Sequence, residues 1–221
     1  MLYCRIMFFE IHKKTGGFWD TEIGGTMYKA ILFDLDGTLT ESGEGITKCV
    51  QYALEKLGKP EEDLKKLEVF IGPPEYYRER YSNVGIFENK PYLGVENMLR
   101  ELKRKKYILA VASSKPEYYV KQILDHFYLT EYFDEIVGSE MNGARSNKTE
   151  VIEEALERIG MKKHREQVVM VGDKEHDVLG AREAGLDCVA VSYGYGTQEE
   201  LKEAAPLQIV ASADEVLDFF D

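Results

Sequence analysis

Tyr28-Lys29-Ala30-Ile31-Leu32-Phe33-Asp34-Leu35-Asp36-Gly37-Thr38-Leu39-Thr40 is the stretch that decides the fold of this chain. An apolar run ends in two aspartates one residue apart, and Gly37 and Thr38 then break the extended pattern. A short, continuous apolar run reads as a strand buried on both faces, as in a parallel sheet. Carboxylates at its end, where the backbone turns, make a reactive rim and not a core feature. Residues two apart on a strand point to the same side, so Asp34 and Asp36 can face one small ligand. An Asx-type turn accounts for Asp36-Gly37 alone. It does not account for the pair of acids after an apolar strand.

Further along the chain the same grammar repeats. Tyr107 to Ala112 reads as a short buried strand running into Ser113-Ser114-Lys115-Pro116-Glu117. Ser114 and Glu117 have capping-box spacing, and Pro116 is tolerated in a first helical turn. A helix N-terminus just after a strand end favours an anion, through its unpaired N–H groups and its dipole. Glu135 to Gly138 reads as another strand. Asn147 and Glu150 then form a second capping box, which puts Lys148 at the first helical position. A cation there is disfavoured by about 0.3–1 kcal/mol. It is explained if the amine reaches across to carboxylates and phosphate, with Arg145 close enough in sequence to join it. Gln167 to Gly172 is a further apolar strand, ending in Asp173-Lys174-Glu175-His176-Asp177. Asp173, directly after the strand, reads as a metal ligand, whereas Asp177 alone would pass for an ordinary helix N-terminal acid. Strands at 188–191 and 207–210 follow, with helices capped by Thr197 with Glu200 and by Ser212 with Glu215. Strands alternate with helices, and every candidate falls just after a strand end. That is the ligand edge of a Rossmann-like, doubly wound parallel α/β sheet. Tyr193-Gly194-Tyr195-Gly196 lacks the G-x-G-x-x-G spacing of a dinucleotide site.

Between the first strand and the next lies an insert. Ile46, Val50, Ala53, Leu54 and Leu57 recur at helical spacing, and Gly58 and Pro60 stop that helix. A second helix is expected from about 60 to 70, then a turn at Ile71-Gly72-Pro73-Pro74 and a third helical piece from Glu75 to Tyr81. The segment 85–94 reads as loop. The expected division is a helical cap at 43–91, a core of 27–42 and 92–221, and a leader at 1–26. Leu2 to Ile11 is apolar but too short to span a bilayer and lacks the cleavage pattern of a signal peptide. Glu22 to Thr26 can be back-translated into a ribosome-binding sequence ahead of Met27, so the leader is given no catalytic role.

The 221 residues suit one large domain, or a core with a small insert. With 28 basic and 40 acidic side chains the formal charge is −12, which argues against a nucleic-acid or anionic-membrane surface. Cys4, Cys49 and Cys188 fit no metal spacing and read as free thiols of a reducing, cytoplasmic setting.

With D-x-D-G-T at Asp34–Thr38, Ser113 at a strand end, Lys148 opening a helix and G-D-x-x-x-D at Gly172–Asp177, the chain resembles the haloacid dehalogenase-like (HAD) superfamily over about Met27 to Asp221. Within it the chain looks most like the phosphoglycolate phosphatase-like group. The resemblance implies a Mg²⁺-dependent phosphatase acting on a small phosphorylated metabolite through an aspartyl-phosphate. Asp34 would be the nucleophile and Asp36 the acid/base. Ser113, with Ser114 beside it, and Lys148 would bind the phosphoryl group. Asp34, the main-chain carbonyl of Asp36, and Asp173 would hold Mg²⁺, with Asp177 orienting water or Lys148. A helical cap after the first motif would help choose the substrate, and this one reads as a helix short. Glu41, Ser113-Ser114 and the short cap depart from the family pattern and leave the substrate open. A phosphomutase of the same superfamily and a non-catalytic phosphate-binding protein stay open as alternatives. A dehalogenase is disfavoured by the second aspartate. The expected assembly is a monomer or small homo-oligomer.

Overall fold

The computed structural model describes residues 28–59, 61 and 74–221. The leader at 1–26, the expected cap helix at 60–70 apart from Glu61, and the expected turn at 71–74 apart from Pro74 lie outside these residues. Strand β1 is Ala30–Phe33, with every side chain buried. The chain then turns through Asp34–Leu39 into the insert, which holds helices α1 (Gly43–Lys56) and α2 (Pro74–Tyr81). A 3₁₀ turn, Gly85–Phe87, and a two-residue strand, Lys90–Pro91, stand where the sequence reads as loop. Lys90–Pro91 pairs antiparallel with Thr40–Glu41, so a short ribbon joins the way into the insert to the way out. Elements this short carry no periodicity to read.

The core continues with α3 (Val95–Arg104), β2 (Ile108–Pro116) and α4 (Glu117–His126). Next come β3 (Glu135–Ser139), α5 (Lys148–Arg158), β4 (Val168–Gly172) and α6 (Glu175–Glu183). The chain finishes with β5 (Asp187–Val191), α7 (Gln198–Ala204), β6 (Gln208–Val210) and α8 (Ala213–Phe219). The six core strands are all parallel and lie in the order β3-β2-β1-β4-β5-β6. β1 is central: Ile31 lies opposite Leu109 on one side and Val169 on the other.

Alternation along β1 divides the core into two layers. Ile31 and Phe33 pack with Met98, Leu99 and Leu102 of α3, Val120 and Ile123 of α4, and Val216 of α8. Ala30 and Leu32 pack with Val151, Ile152 and Ala155 of α5, Val178 and Ala181 of α6, and Leu201 of α7. Three helices therefore cover each face. Burial of side chains such as Leu32 or Phe33 stabilises the fold by about 1.5–3 kcal/mol each.

One expected cap is corrected. Ser114 does not cap a helix with Glu117: β2 runs on through Ser114 and Lys115 to Pro116, and α4 starts at Glu117 with no side-chain cap. The cause is Pro116, whose ring disfavours the helical region for the residue before it. Lys115 stays extended, and Pro116 pairs with Ser139. At α5, Asn147 is the cap, but it accepts from the Thr149 N–H at 2.8 Å and does not form the expected box with Glu150.

Candidate active site

Strand order reverses between β1 and β4, and in an open parallel sheet a ligand binds outside the carboxyl ends of the strands at that switch point. Asp34 follows β1 and its N–H donates to the Val171 carbonyl at 2.9 Å, which fixes it beside β4. Asp173 follows β4, and Asp177 lies in the first turn of α6. The three carboxylates are 7, 1 and 2% exposed. Each offers an oxygen within 4.8 Å of the others. Lys148, the first residue of α5, reaches into this cluster. Its Nζ lies 2.6 Å from Asp34 Oδ1 and 2.8 Å from Asp177 Oδ1, and donates to the Ala112 carbonyl at 3.1 Å. The cation at a helix start is thus neutralised by acids of two other segments.

Asp173 is held on several sides. The Tyr195 N–H donates to its Oδ2 at 2.7 Å, and the Thr38 hydroxyl to its Oδ1 at 3.4 Å. The Tyr193 hydroxyl in turn donates to the Thr38 carbonyl at 2.9 Å. Gly37, at φ 87°, gives the loop its left-handed turn, and a Cβ there would lie 2.1 Å from Asp173 Oδ2. A Cβ at Gly194 would lie 2.3 Å from the Gly37 carbonyl. The Tyr193–Gly196 turn, which matched no ligand motif in the sequence, is therefore the support of an acidic residue. The sequence carried a signal for it only in its two glycines.

Asp36 faces a second cation that the sequence reading did not assign. Lys115 Nζ lies 3.0 Å from Asp36 Oδ2 and donates to the Tyr81 hydroxyl of α2 at 2.5 Å. Asp36 Oδ1 is buried without a hydrogen-bond partner among the described residues. Ser113 is buried within the neighbouring strand β2, where its hydroxyl accepts from the Lys115 N–H at 3.4 Å. The Ser114 side chain is exposed. Arg145 turns away from the cluster, donating to the Gly138 carbonyl at 3.0 Å and pairing with Glu117 and Glu154. His176 is exposed beside Glu175.

The electrostatics follow from packing acids together away from water. Burial pushes the Asp34 carboxyl up to about 6; Asp177 and Asp36 add to the rise, and Lys148 opposes it. Burial, then the charges of Asp34 and Asp177, push Asp173 up to about 7. Burial works against a charge on Lys148, but Asp177 and Asp34 together outweigh it and hold the amine above its ordinary range.

Three carboxylates against one ammonium leave a surplus of negative charge, and the donors are all hard oxygens, which suits a Mg²⁺-type cation. The buried triad is positioned to chelate a divalent metal. Asp177 is the least available of the three. Lys148 takes one of its oxygens, and the Lys174 N–H donates to the other at 3.0 Å.

Comparison with known proteins agrees with this geometry. The family profile described as haloacid dehalogenase-like hydrolase matches residues 31–191. A 5'-nucleotidase of Pseudomonas aeruginosa is 40% identical over 204 residues, covering 83% of this chain and 91% of the relative. The tyrosine-protein kinase PtkA of Mycobacterium tuberculosis is 32% identical over 207 residues, covering 86% of this chain and 70% of its own. Phosphoglycolate phosphatases match at lower identity. The crystal structure of a predicted phosphatase from Clostridium acetobutylicum superposes with a TM-score of 0.82 at 43% identity, covering 88% of this chain and 98% of that one.

Proposed function

The chain belongs to the haloacid dehalogenase-like hydrolases, in the phosphoglycolate phosphatase-like group, and from that membership we propose that it is a Mg²⁺-dependent phosphatase of a small phosphorylated metabolite. The observation that carries the reading is the Asp34 carboxylate at the switch point, with Lys148 2.6 Å from one oxygen and Asp36 two residues on. A carboxylate so placed can act as nucleophile, a recognised covalent route. Its second neighbour can serve as general acid and base.

Asp34 attacks phosphorus, and the bond from phosphorus to the leaving oxygen breaks as Asp36 gives that oxygen a proton. Asp36 then takes a proton from the water that attacks the aspartyl-phosphate, which releases inorganic phosphate and restores Asp34. Lys148 and Ser113 bind the equatorial oxygens, with Ser114 at the rim, and Asp177 holds the Lys148 amine in place. Asp34, the Asp36 carbonyl and Asp173 would hold Mg²⁺, whose charge would offset that of the phosphoryl group. Tyr81 of the cap reaches Lys115 beside Asp36, and the cap would bear on substrate choice.

A nucleoside 5'-monophosphate is the substrate to try first, because the relative at 40% identity is named a 5'-nucleotidase. Phosphoglycolate and sugar phosphates come next. Buried free thiols at Cys49 and Cys188 suit a reducing, cytoplasmic setting. Among the described residues no helix is long and apolar enough to cross a membrane.

Phosphate release from a panel of such esters tests the reading. Turnover should need Mg²⁺ and stop with EDTA. Asp34→Asn should lower kcat by about 10⁴-fold or more with the circular dichroism unchanged. Full turnover by Asp34→Asn would remove Asp34 as nucleophile, and a requirement for a sugar bisphosphate activator would favour a phosphomutase.

A further inference from the structure

The two lysines of the site have different partners. Lys148 serves Asp34 and Asp177, whereas among the acids of the described residues Lys115 serves Asp36 alone, at 3.0 Å. An acid that first gives a proton and then takes one needs a fixed carboxyl plane with one oxygen not committed to another partner. Asp36 has that form. Its Oδ2 is engaged by Lys115, and its buried Oδ1 has no partner among the described residues.

Lys115 is itself fixed. Its side chain is 9% exposed. The amine donates to the Tyr81 hydroxyl and lies 4.7 Å from the centre of the Tyr81 ring. Tyr81 stacks on Tyr77 of the same helix at 5.4 Å and meets Tyr119 of α4 edge-on at 5.3 Å. Tyr81 ends α2, which belongs to the insert, and Tyr119 belongs to the core. The amine thus joins the acid of the core loop to an aromatic anchor of the cap.

We propose that Lys115 is the positioning residue of the acid–base step: it holds one oxygen of Asp36, leaves the other for the leaving group, and is itself set by Tyr81 of the cap. This rests on the phosphatase reading. Its effect falls on proton transfer and not on attack at phosphorus, and that separates it from a merely structural lysine.

The test compares an alkyl phosphate with 4-nitrophenyl phosphate in the Mg²⁺-loaded enzyme. The alkoxide must be protonated as it leaves, whereas nitrophenolate leaves without a proton. With Lys115→Met, which keeps length and loses charge, kcat for the fastest alkyl phosphate of the panel should fall about 30-fold or more. The rapid-quench burst of nitrophenolate should slow by about threefold at most, since its leaving group needs little help from an acid. Lys115→Arg should restore part of the alkyl rate. Tyr81→Phe, which keeps the ring and loses the hydroxyl, should show the same imbalance more weakly and covers the case in which Lys115→Met does not fold. Equal losses on both substrates would overturn the proposal in favour of a structural lysine. A raised KM with a slowed burst would overturn it in favour of direct phosphate binding. A wild-type chain with no burst and no phosphate release would instead defeat the phosphatase reading, and this role with it.

Discussion

Lys148 carries only 9% of its side chain into solvent and stands between Asp34 and Asp177. Removing one partner of a buried ion pair leaves charge without compensation, at about 3–5 kcal/mol. Lys148→Ala should therefore unfold in less denaturant than the wild type. The pH dependence has a definite sign. Asp34 at about 6 and Asp173 at about 7 lie above the ordinary carboxylate value, so the folded chain holds their protons more tightly than the unfolded one. Their stabilising contribution is full below about pH 4, the unfolded value, and is lost as pH rises through 6 and 7. Without metal, the wild type should be less stable at pH 8 than at pH 5, and Lys148→Ala should steepen that fall. Urea melts in EDTA at both pH values measure it; a loss that is the same at each would contradict the assignment. Of the site residues, Asp34, Asp36 and Lys148 were legible because each breaks a local rule: acids ending an apolar run, a cation opening a helix. The role of Lys115 was not, since its partners Asp36 and Tyr81 are distant in the chain and nothing at 115 violates a local preference.

At the scale of elements, the loop after β1 and the turn after β5 meet over Asp173. Gly37 combines a left-handed φ of 87° with a space already filled by the Asp173 carboxylate. Gly37→Ala should cost about 1–3 kcal/mol, through backbone strain and overpacking together. It should also displace Asp173, so that activity falls more steeply than stability and added Mg²⁺ recovers little of it. Parallel thermal melts and phosphate-release assays would show this; a variant with normal activity would deny the glycine its part in seating the acid. The alternation of β1 through β6 with helices was legible from apolar runs and caps, because the central strands β1 and β4 are buried on both faces. The joint from β2 to α4 differs from the expectation, since Pro116 reads as compatible with a first helical turn while its effect on the residue before it keeps Lys115 extended. The ribbon of Thr40–Glu41 with Lys90–Pro91 arises from tertiary pairing and leaves no local pattern.

For the whole molecule, metal and fold should be linked. A ligand that binds only the folded chain stabilises it by about 2.7 kcal/mol at a hundred times its Kd. For a chain of this size that corresponds to a rise in Tm of about 5–10 °C. Mg²⁺ should produce such a rise at pH 8 and a smaller one at pH 5, where protons compete for the same oxygens, and Asp173→Asn should abolish it. A Tm indifferent to Mg²⁺ would separate the acidic cluster from metal binding. The central place of β1 has a further effect during synthesis. It is the first of the described core strands to leave the ribosome, yet both its neighbours are made much later, β2 at Ile108–Pro116 and β4 at Val168–Gly172. Such distant pairings form slowly. The nascent chain thus carries Asp34 at the end of an unpaired, sticky strand that invites chaperones, and a transcript truncated ahead of Val168 yields a polypeptide that can neither pair that strand on both edges nor assemble the acidic triad.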